Sequence, residues 1–149
     1  MSLSSYLTPE RVRILAGRTK PEVLKELVTL AHEFVPGVEA EVLAKAIEHR
    51  ETLMSTGIGQ GLAVPHTRLD GVTEPMVVVG ISKDGVAGYD SLDGEPVHVV
   101  LLIVAGKGQH EPYLRLLATS VELLKDPAVR QKVINSETAQ EAFSALTEA

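Results

Sequence analysis

The spacing of apolar residues predicts a first long helix that begins near Thr19 and is stopped by Pro36-Gly37. Thr19 can cap this helix, Pro21 suits its first turn, and Glu22 completes a capping box. The stripe that should face the core is Val23, Leu24, Leu27, Val28, Ala31 and Phe34. A long amphipathic helix is therefore expected near the start of the chain.

Two further long helices show the same period, from about Glu39 to Met54 and from His110 to about Lys125. The stripe of the second contains Val42, Leu43, Ala46, Ile47 and Leu53/Met54, and Arg50 falls on it. The stripe of the third contains Leu114, Leu117, Val121 and Leu124, and stepping back four residues places His110 on its inward face. Two short helices are predicted to follow, from Asp126-Pro127 to about Ile134 and from a Ser136 cap to about Leu146.

Runs of β-branched residues predict the strands. The chain offers an edge strand over 11–16, a short strand over 62–64, a buried strand over 76–82, a short strand over 86–89 and a central strand over 97–104. Residues 67–75 are expected to form a loop, 105–109 a flexible turn, and 1–8 are a patternless candidate flexible segment. The predicted fold is α/β: a single three-layer αβα domain over 1–149, with a mixed β-sheet flanked by helices on both faces.

Composition narrows the function classes. With 149 residues, 44% of them hydrophobic, the chain is long enough to bury one core. The absence of cysteine excludes disulfides, thiolate metal sites and a cysteine nucleophile. A net charge of −6 argues against nucleic acid as a partner. Because no membrane span or signal peptide is visible, we expect no membrane insertion and a cytoplasmic location.

The stretch from Glu51 to Leu69 carries the candidate chemistry. Glycines at 57, 59 and 61 allow backbone angles closed to other residues and allow a ligand to approach N–H groups. A short apolar strand follows and ends at Pro65, which has no N–H to donate. His66 is then presented by a stiff neighbour, so we expect a reactive imidazole at the mouth of this strand.

This stretch resembles a known family. Arg50-Glu51, Ser55-Thr56-Gly57-Ile58-Gly59 and the run from Gly61 to Pro65-His66 are similar to the fructose/mannitol-type enzyme IIA domain of the phosphoenolpyruvate-dependent phosphotransferase system and its nitrogen-regulatory relatives. The resemblance continues through the run from Leu92 to Val97 and through His110 with its leucine-rich helix.

The resemblance implies a phosphohistidine carrier, a phosphotransferase that accepts a phosphoryl group on His66 from the phosphocarrier HPr and passes it to an enzyme IIB domain. It implies that Arg50 lines the phosphoryl site and that His110 donates a hydrogen bond to the phosphoryl group. The N–H groups of Thr56, Gly57 and Gly59, with the Thr56 hydroxyl, would shape the site or touch phosphoryl oxygens. No metal or organic cofactor is required.

The residues by themselves leave alternatives open. Arg50 on an apolar stripe either meets an anion or snorkels out at the helix end. A dinucleotide site fails, because its glycines must follow a strand and open a helix. A zinc site from His66, Asp70, His98 and His110 lacks paired ligands on one helix turn. The serious rival is a regulatory module whose partners sense whether His66 is phosphorylated.

Overall fold

The computed structural model describes residues 3–148, which form a mixed sheet between two layers of helices. The strands are β1 (Val12–Ile14), β2 (Gly57–Gly59), β3 (Leu62–Ala63), β4 (His66–Arg68), β5 (Met76–Val86) and β6 (Val97–Ala105). They are ordered β1-β5-β6-β3-β2, and β4 also pairs with β6. Since β6 is antiparallel to β5 but parallel to β3 and β4, the sheet is mixed, and β6 is the central strand that its β-branched run predicts.

The helices cover both faces of the sheet. They are α1 (Lys20–His32), α2 (Ala40–Leu53), α3 (His110–Lys125), α4 (Pro127–Ile134) and α5 (Ala139–Thr147). Successive β6 side chains point to opposite faces, so Leu102 packs in the core beneath α1 and α2 and Leu101 packs beneath α3, α4 and α5. The predicted three-layer architecture is confirmed. Within the described part of the chain, no helix has the length and apolar character needed to cross a bilayer.

The predicted start of α1 is confirmed, but the helix ends at His32, so Phe34 of its predicted stripe lies beyond it and Pro36-Gly37 does not mark its end. The capping box of α1 is formed, with Thr19 Oγ1 accepting from the N–H of Glu22 and the Glu22 carboxylate accepting from the N–H of Thr19. The cap predicted for the last helix is wrong. Thr138 caps α5 by accepting from the N–H of Glu141, whereas the Ser136 hydroxyl donates to the Lys132 carbonyl.

Two predicted helix stripes need correction. On α2, Val42, Leu53 and Met54 are 47%, 68% and 67% exposed, because only Leu43 and Ile47 reach the core. On α3 the buried face is shifted by about one residue and comprises Tyr113, Leu116, Ser120 and Leu124. Leu117 and Val121 still pack at the margin of the core, so the apolar stripe is wide enough to fit more than one register.

The glycine-rich turn is a β-hairpin rather than an open loop. β2 and β3 pair antiparallel with Gly59 opposite Leu62, so the connection is the two residues Gln60-Gly61. Their φ angles are 57° and 79°, and a type I′ hairpin turn requires positive φ at both positions. The three glycines therefore serve strand pairing at the sheet edge.

Residues 62–68 run beside β6 as one interrupted strand. The chain leaves the ladder after Ala63 and rejoins it at His66, which lies opposite Ile103. Pro65 lies in the gap, where its carbonyl accepts from the N–H of Ile103 at 3.0 Å. The loop predicted to begin at Thr67 is wrong at its start, because β4 pairs through its backbone and its side chains carry no apolar pattern.

Two smaller expectations also change. The strand predicted over 86–89 is not separate: Val86 ends β5, and Ala87 forms an isolated bridge with Thr19. The candidate flexible segment contributes to the core from Leu3 onward, because Leu3 and Leu7 are buried beneath α3–α5. Met1 and Ser2, which belong to the same segment, lie outside the described residues.

Candidate functional site

His66 is held at the start of β4 by its own neighbours. Its Nδ1 lies 2.7 Å from the carbonyl oxygen of Val64, two residues earlier. A carbonyl only accepts, so Nδ1 carries the proton and Nε2 keeps its lone pair. That Nε2 faces the Nε–H of Arg50 at 3.4 Å. The ring therefore presents a neutral nitrogen nucleophile beside a guanidinium.

Arg50 is fixed at the end of α2. Its Nη1 donates to the carbonyl of Met54, the residue that follows α2, at 3.1 Å. Its Nε side points to His66. The guanidinium therefore contacts both the residue after α2 and the His66 imidazole, and its binding of an anion stays a prediction.

An open cleft of about 640 Å³ surrounds these two residues. Three cationic side chains, Arg50, Arg68 and Lys107, contribute to its lining. None of the described residues in the lining is acidic, although Lys107 pairs with Asp70 outside it at 3.4 Å. The full lining is Ala46, His49, Arg50, Leu53, His66, Thr67, Arg68, Lys107 and Tyr113. A chain with a net charge of −6 thus carries a locally positive cleft, which suits an anionic group.

The surroundings of His66 favour its neutral form. Burial lowers the pKa of His66, and the positive charges of Arg50 and Arg68 act in the same direction. The hydrogen bond to Val64 and the negative charge of Glu51 oppose this lowering and do not outweigh it. At neutral pH the imidazole is therefore uncharged, as a nucleophile must be.

A buried polar network lies behind Arg50. The Glu51 side chain, 5% exposed, pairs with Lys20 at 3.0 Å. It accepts hydrogen bonds from the hydroxyls of Thr56 and Tyr89, and these two hydroxyls lie 2.7 Å apart. The network ties α1, the end of α2, the start of β2 and the segment after β5 together. It holds the helix turn that carries Arg50.

The predicted supporting residues, Thr56, Gly57 and Gly59, do not line the cleft. Thr56 is 4% exposed and its hydroxyl is engaged by Glu51 and Tyr89. A Cβ on Gly57 would lie 2.1 Å from the carbonyl oxygen of Asp90, so no side chain fits there. A Cβ on Gly59 would come within 3.2 Å of the Asp93 carboxylate, which accepts from the N–H of Gln60. The N–H of Gln60 in this hairpin is therefore already bonded to a side chain.

His110 does not occupy the inward position predicted for it. It is exposed at the first residue of α3 and is not among the cleft-lining residues. Tyr113, three residues later, faces inward, lines the cleft and places its ring 5.5 Å from the His66 ring. The correct register could have been found by extending Leu116, Ser120 and Leu124 back by one turn.

Arg68, Lys107 and His49 are cleft residues that sequence reasoning passed over. Arg68 follows His66 by two residues, Lys107 follows β6, and His49 precedes Arg50. Their polar side chains resemble those of any surface loop or helix end, so only their convergence distinguishes them. Away from the cleft, the Nδ1 of His98 lies 2.9 Å from the carbonyl oxygen of Ser82. Residues 3–148 contain no cluster of three His, Cys, Asp or Glu side chains able to hold a metal ion.

Comparisons with known proteins show the family to which this chain belongs. Residues 5–149 match the family described as phosphoenolpyruvate-dependent sugar phosphotransferase system, EIIA 2. The chain belongs to this EIIA 2 family. The resemblance seen in the Pro-His motif is confirmed over nearly the whole length of the chain.

The chain is similar to curated proteins of two kinds. It is 33% identical over 139 residues to the PTS system fructose-specific EIIABC component of Bacillus subtilis, covering 93% of this chain and 22% of that protein. It is 30% identical over 147 residues to a nitrogen regulatory protein of Pseudomonas aeruginosa, covering 98% of this chain and 95% of that protein.

Solved structures show the EIIA 2 fold directly. The nitrogen regulatory protein IIA-Ntr from Neisseria meningitidis superposes with a TM-score of 0.87 at 23% identity, covering 97% of this chain and 99% of that one. Enzyme IIA mannitol from Escherichia coli, in complex with phosphorylated enzyme IIB mannitol, gives a TM-score of 0.78 at 23% identity, covering 94% of this chain and 96% of that one.

Proposed function

We propose that this chain is a cytoplasmic phosphohistidine carrier that accepts a phosphoryl group on Nε2 of His66 from an HPr-type phosphocarrier and passes it to an enzyme IIB domain. One observation carries the proposal: the Nδ1–H of His66 is held by Val64, which turns the lone pair of Nε2 toward Arg50 and the open cleft. Membership of the EIIA 2 family supports the same reaction class.

The transfer balances with the groups present. The Nε2 lone pair attacks phosphorus, and the bond between phosphorus and a nitrogen of the HPr-type donor breaks. The electron pair of the broken bond stays on the donor nitrogen. The His66 ring gains positive charge and keeps its proton on Nδ1, which donates it in a hydrogen bond to the Val64 carbonyl. In this proposal Arg50 receives the phosphoryl oxygens, and Arg68 and Lys107, which also line the cleft, add positive charge.

Passing the group onward reverses these steps. A nucleophile on the acceptor attacks phosphorus, the bond between phosphorus and Nε2 breaks, and its electron pair returns to Nε2. The E. coli relative whose structure is that of a complex with phosphorylated enzyme IIB supports an acceptor of this kind. Thr56, Gly57 and Gly59 support the site by fixing the hairpin behind it.

The test is a phosphorylation assay on the purified chain. We expect phosphoenolpyruvate, enzyme I and HPr to place an acid-labile phosphate on the protein, located on His66 by mass spectrometry. His66→Gln should accept none, whereas His32→Gln, on the far end of α1, should be labelled like the parent. Label on a different residue, or none at all, would overturn the proposal.

The second half of the assay distinguishes a regulatory use of His66 from phosphate transfer to enzyme IIB. A labelled chain that gives up its phosphate to a purified fructose- or mannitol-type enzyme IIB is a carrier. A chain that transfers no phosphate to any of these enzyme IIB domains, and that binds another protein only in one phosphorylation state, is a regulatory module instead.

A further inference from the structure

Helix α3 presents an aromatic residue, and not a histidine, to the reactive ring. The Tyr113 ring lies 5.5 Å from the His66 ring, with 39° between the two planes. Tyr113 is 7% exposed and lines the cleft. His110, on the first residue of the same helix, is exposed and lies outside the lining. Any direct role of α3 at His66 therefore falls to Tyr113.

The Tyr113 side chain lies close to positively charged side chains of the cleft. The Arg68 guanidinium stands 5.9 Å from the centre of the Tyr113 ring. Burial raises the pKa of Tyr113, while the positive charges of Arg50 and Arg68 partly offset that rise. The hydroxyl therefore keeps its proton at and above neutral pH, so it remains a hydrogen-bond donor on the cationic side of the cleft.

We propose that Tyr113 is a catalytic residue of the transfer, donating its phenolic O–H to a phosphoryl oxygen while its ring keeps the His66 imidazole in its reactive orientation. This inference rests on the proposed function. Tyr113 keeps its proton throughout, so the balance of the transfer is unchanged: the bond to the donor nitrogen breaks and the bond to Nε2 forms.

A tyrosine at this position has a consequence for pH dependence. The groups that face His66 are Arg50 from α2, Arg68 from β4 and Tyr113 from α3, with His49 and Lys107 also lining the cleft; Glu51, buried behind Arg50, acts on His66 through its charge. Because the Tyr113 hydroxyl does not titrate near neutrality, the ionisation of His66 should govern how acceptance of the phosphoryl group depends on pH. A histidine in place of Tyr113 would add a second ionisation.

Single-turnover transfer from phosphorylated HPr, followed between pH 5.5 and 8.5, tests this. We expect Tyr113→Phe to be about tenfold to a hundredfold slower, the effect of losing one hydrogen bond to a charged group. We expect Tyr113→His to gain an ionisation that the parent lacks. His110→Gln, three residues earlier on the same helix, is the matched control and should transfer at the parental rate. Repeating the series in a His49→Gln background removes the other cleft imidazole.

The outcomes separate the two proposals. If the parent is labelled on His66 but Tyr113→Phe transfers at the parental rate, the role of Tyr113 is refuted and the carrier function stands. If His110→Gln is slowed as much as Tyr113→Phe, the assignment within α3 is refuted. If the parent takes no label, the carrier function itself fails. Tyr113→His supplies a second readout should the phenylalanine variant fold poorly.

Discussion

A backbone carbonyl two residues before His66 selects which nitrogen of the ring keeps its lone pair. Because Val64 accepts from Nδ1, the lone pair is on Nε2, and the same nitrogen faces Arg50. The Pro65 between them lacks an N–H and lies where the strand leaves the ladder. A three-residue segment thus orients the ring, sets its tautomer and exposes its nucleophile.

The ionisation of His66 should be visible in the stability of the protein. Its pKa is lowered by burial from the ordinary value of 6.5. Between that value and the lower folded value, the unfolded chain binds more protons than the folded chain. The stabilising contribution of neutral His66 is therefore present above pH 6.5 and is lost as the pH falls through this window.

Urea unfolding of the parent and His66→Gln at pH 7.5 and pH 5.5 measures this effect. We expect the parent to lose more free energy of unfolding on acidification than the variant. An NMR titration of the ring should give a midpoint below 6.5. Equal losses in the two proteins would contradict the neutral, buried state of the imidazole.

Replacing Arg50 should affect transfer far more than folding. Arg50→Ala removes the guanidinium that faces Nε2, and we expect acceptance of phosphate to slow by about a hundredfold, the usual effect of losing one preorganised donor. Its other bond, to Met54 at the end of α2, is solvent-exposed, so the thermal midpoint should change little. Lys45→Ala, on the exposed face of the same helix, is the control; equal transfer rates in the two variants would remove Arg50 from the site.

At the scale of elements, the site depends on a junction that the buried Glu51 holds together. Lys20 from α1 and the hydroxyls of Thr56 and Tyr89 meet the carboxylate of Glu51 at the end of α2. Removing one partner of a buried ion pair leaves the other partner's charge uncompensated, which is costly. This explains why the residue next to Arg50 is a carboxylate that does not line the cleft.

Glu51→Gln tests this junction. We expect a loss of roughly 2–4 kcal/mol in the free energy of unfolding, because glutamine keeps the shape of the side chain but removes its negative charge. The matched control is Glu41→Gln on the same helix, whose pair with Lys45 is exposed and should contribute at most about 0.5 kcal/mol. A similar small effect in both variants, measured by denaturant unfolding, would show that the network adds no stability.

At the scale of the whole molecule, one strand divides the protein into two cores. Leu101 and Leu102 are both fully buried, yet they belong to the clusters on opposite faces of the sheet. The same sheet carries the cleft at its edge, where α2 from one layer and α3 from the other meet β4. The site is therefore a product of the three-layer arrangement.

The two cores should be equally sensitive to cavities. We expect Leu101→Ala and Leu102→Ala each to cost about 3 kcal/mol in unfolding free energy, since each leaves a cavity in a packed core. Leu92→Ala, at a residue 82% exposed, is the control and should stay within about 0.5 kcal/mol. A large cost at only one of the two core leucines, in urea or thermal unfolding, would mean that one layer is loosely packed.

Elements that carry their own local signals were predicted well. The bounds of α3 and α4 match, because Pro127 and the apolar period are encoded within each segment. The motif around Pro65-His66 also led to the family correctly. The errors occur where the signal is weak: β4 has polar side chains, and the broad stripe of α3 allows a shift that exchanges Tyr113 for His110.

The sequence alone determined the fold class, the central strand and the family, since periodicity, β-branched runs and the Pro-His motif are local properties. It also singled out His66 as the candidate imidazole. Only the tertiary structure decided which side chains surround that imidazole. Convergence of Arg50, Arg68, Lys107 and Tyr113 depends on strand register and helix rotation. Those are set by packing between segments distant in the chain, where a change of one residue exchanges a buried group for an exposed one.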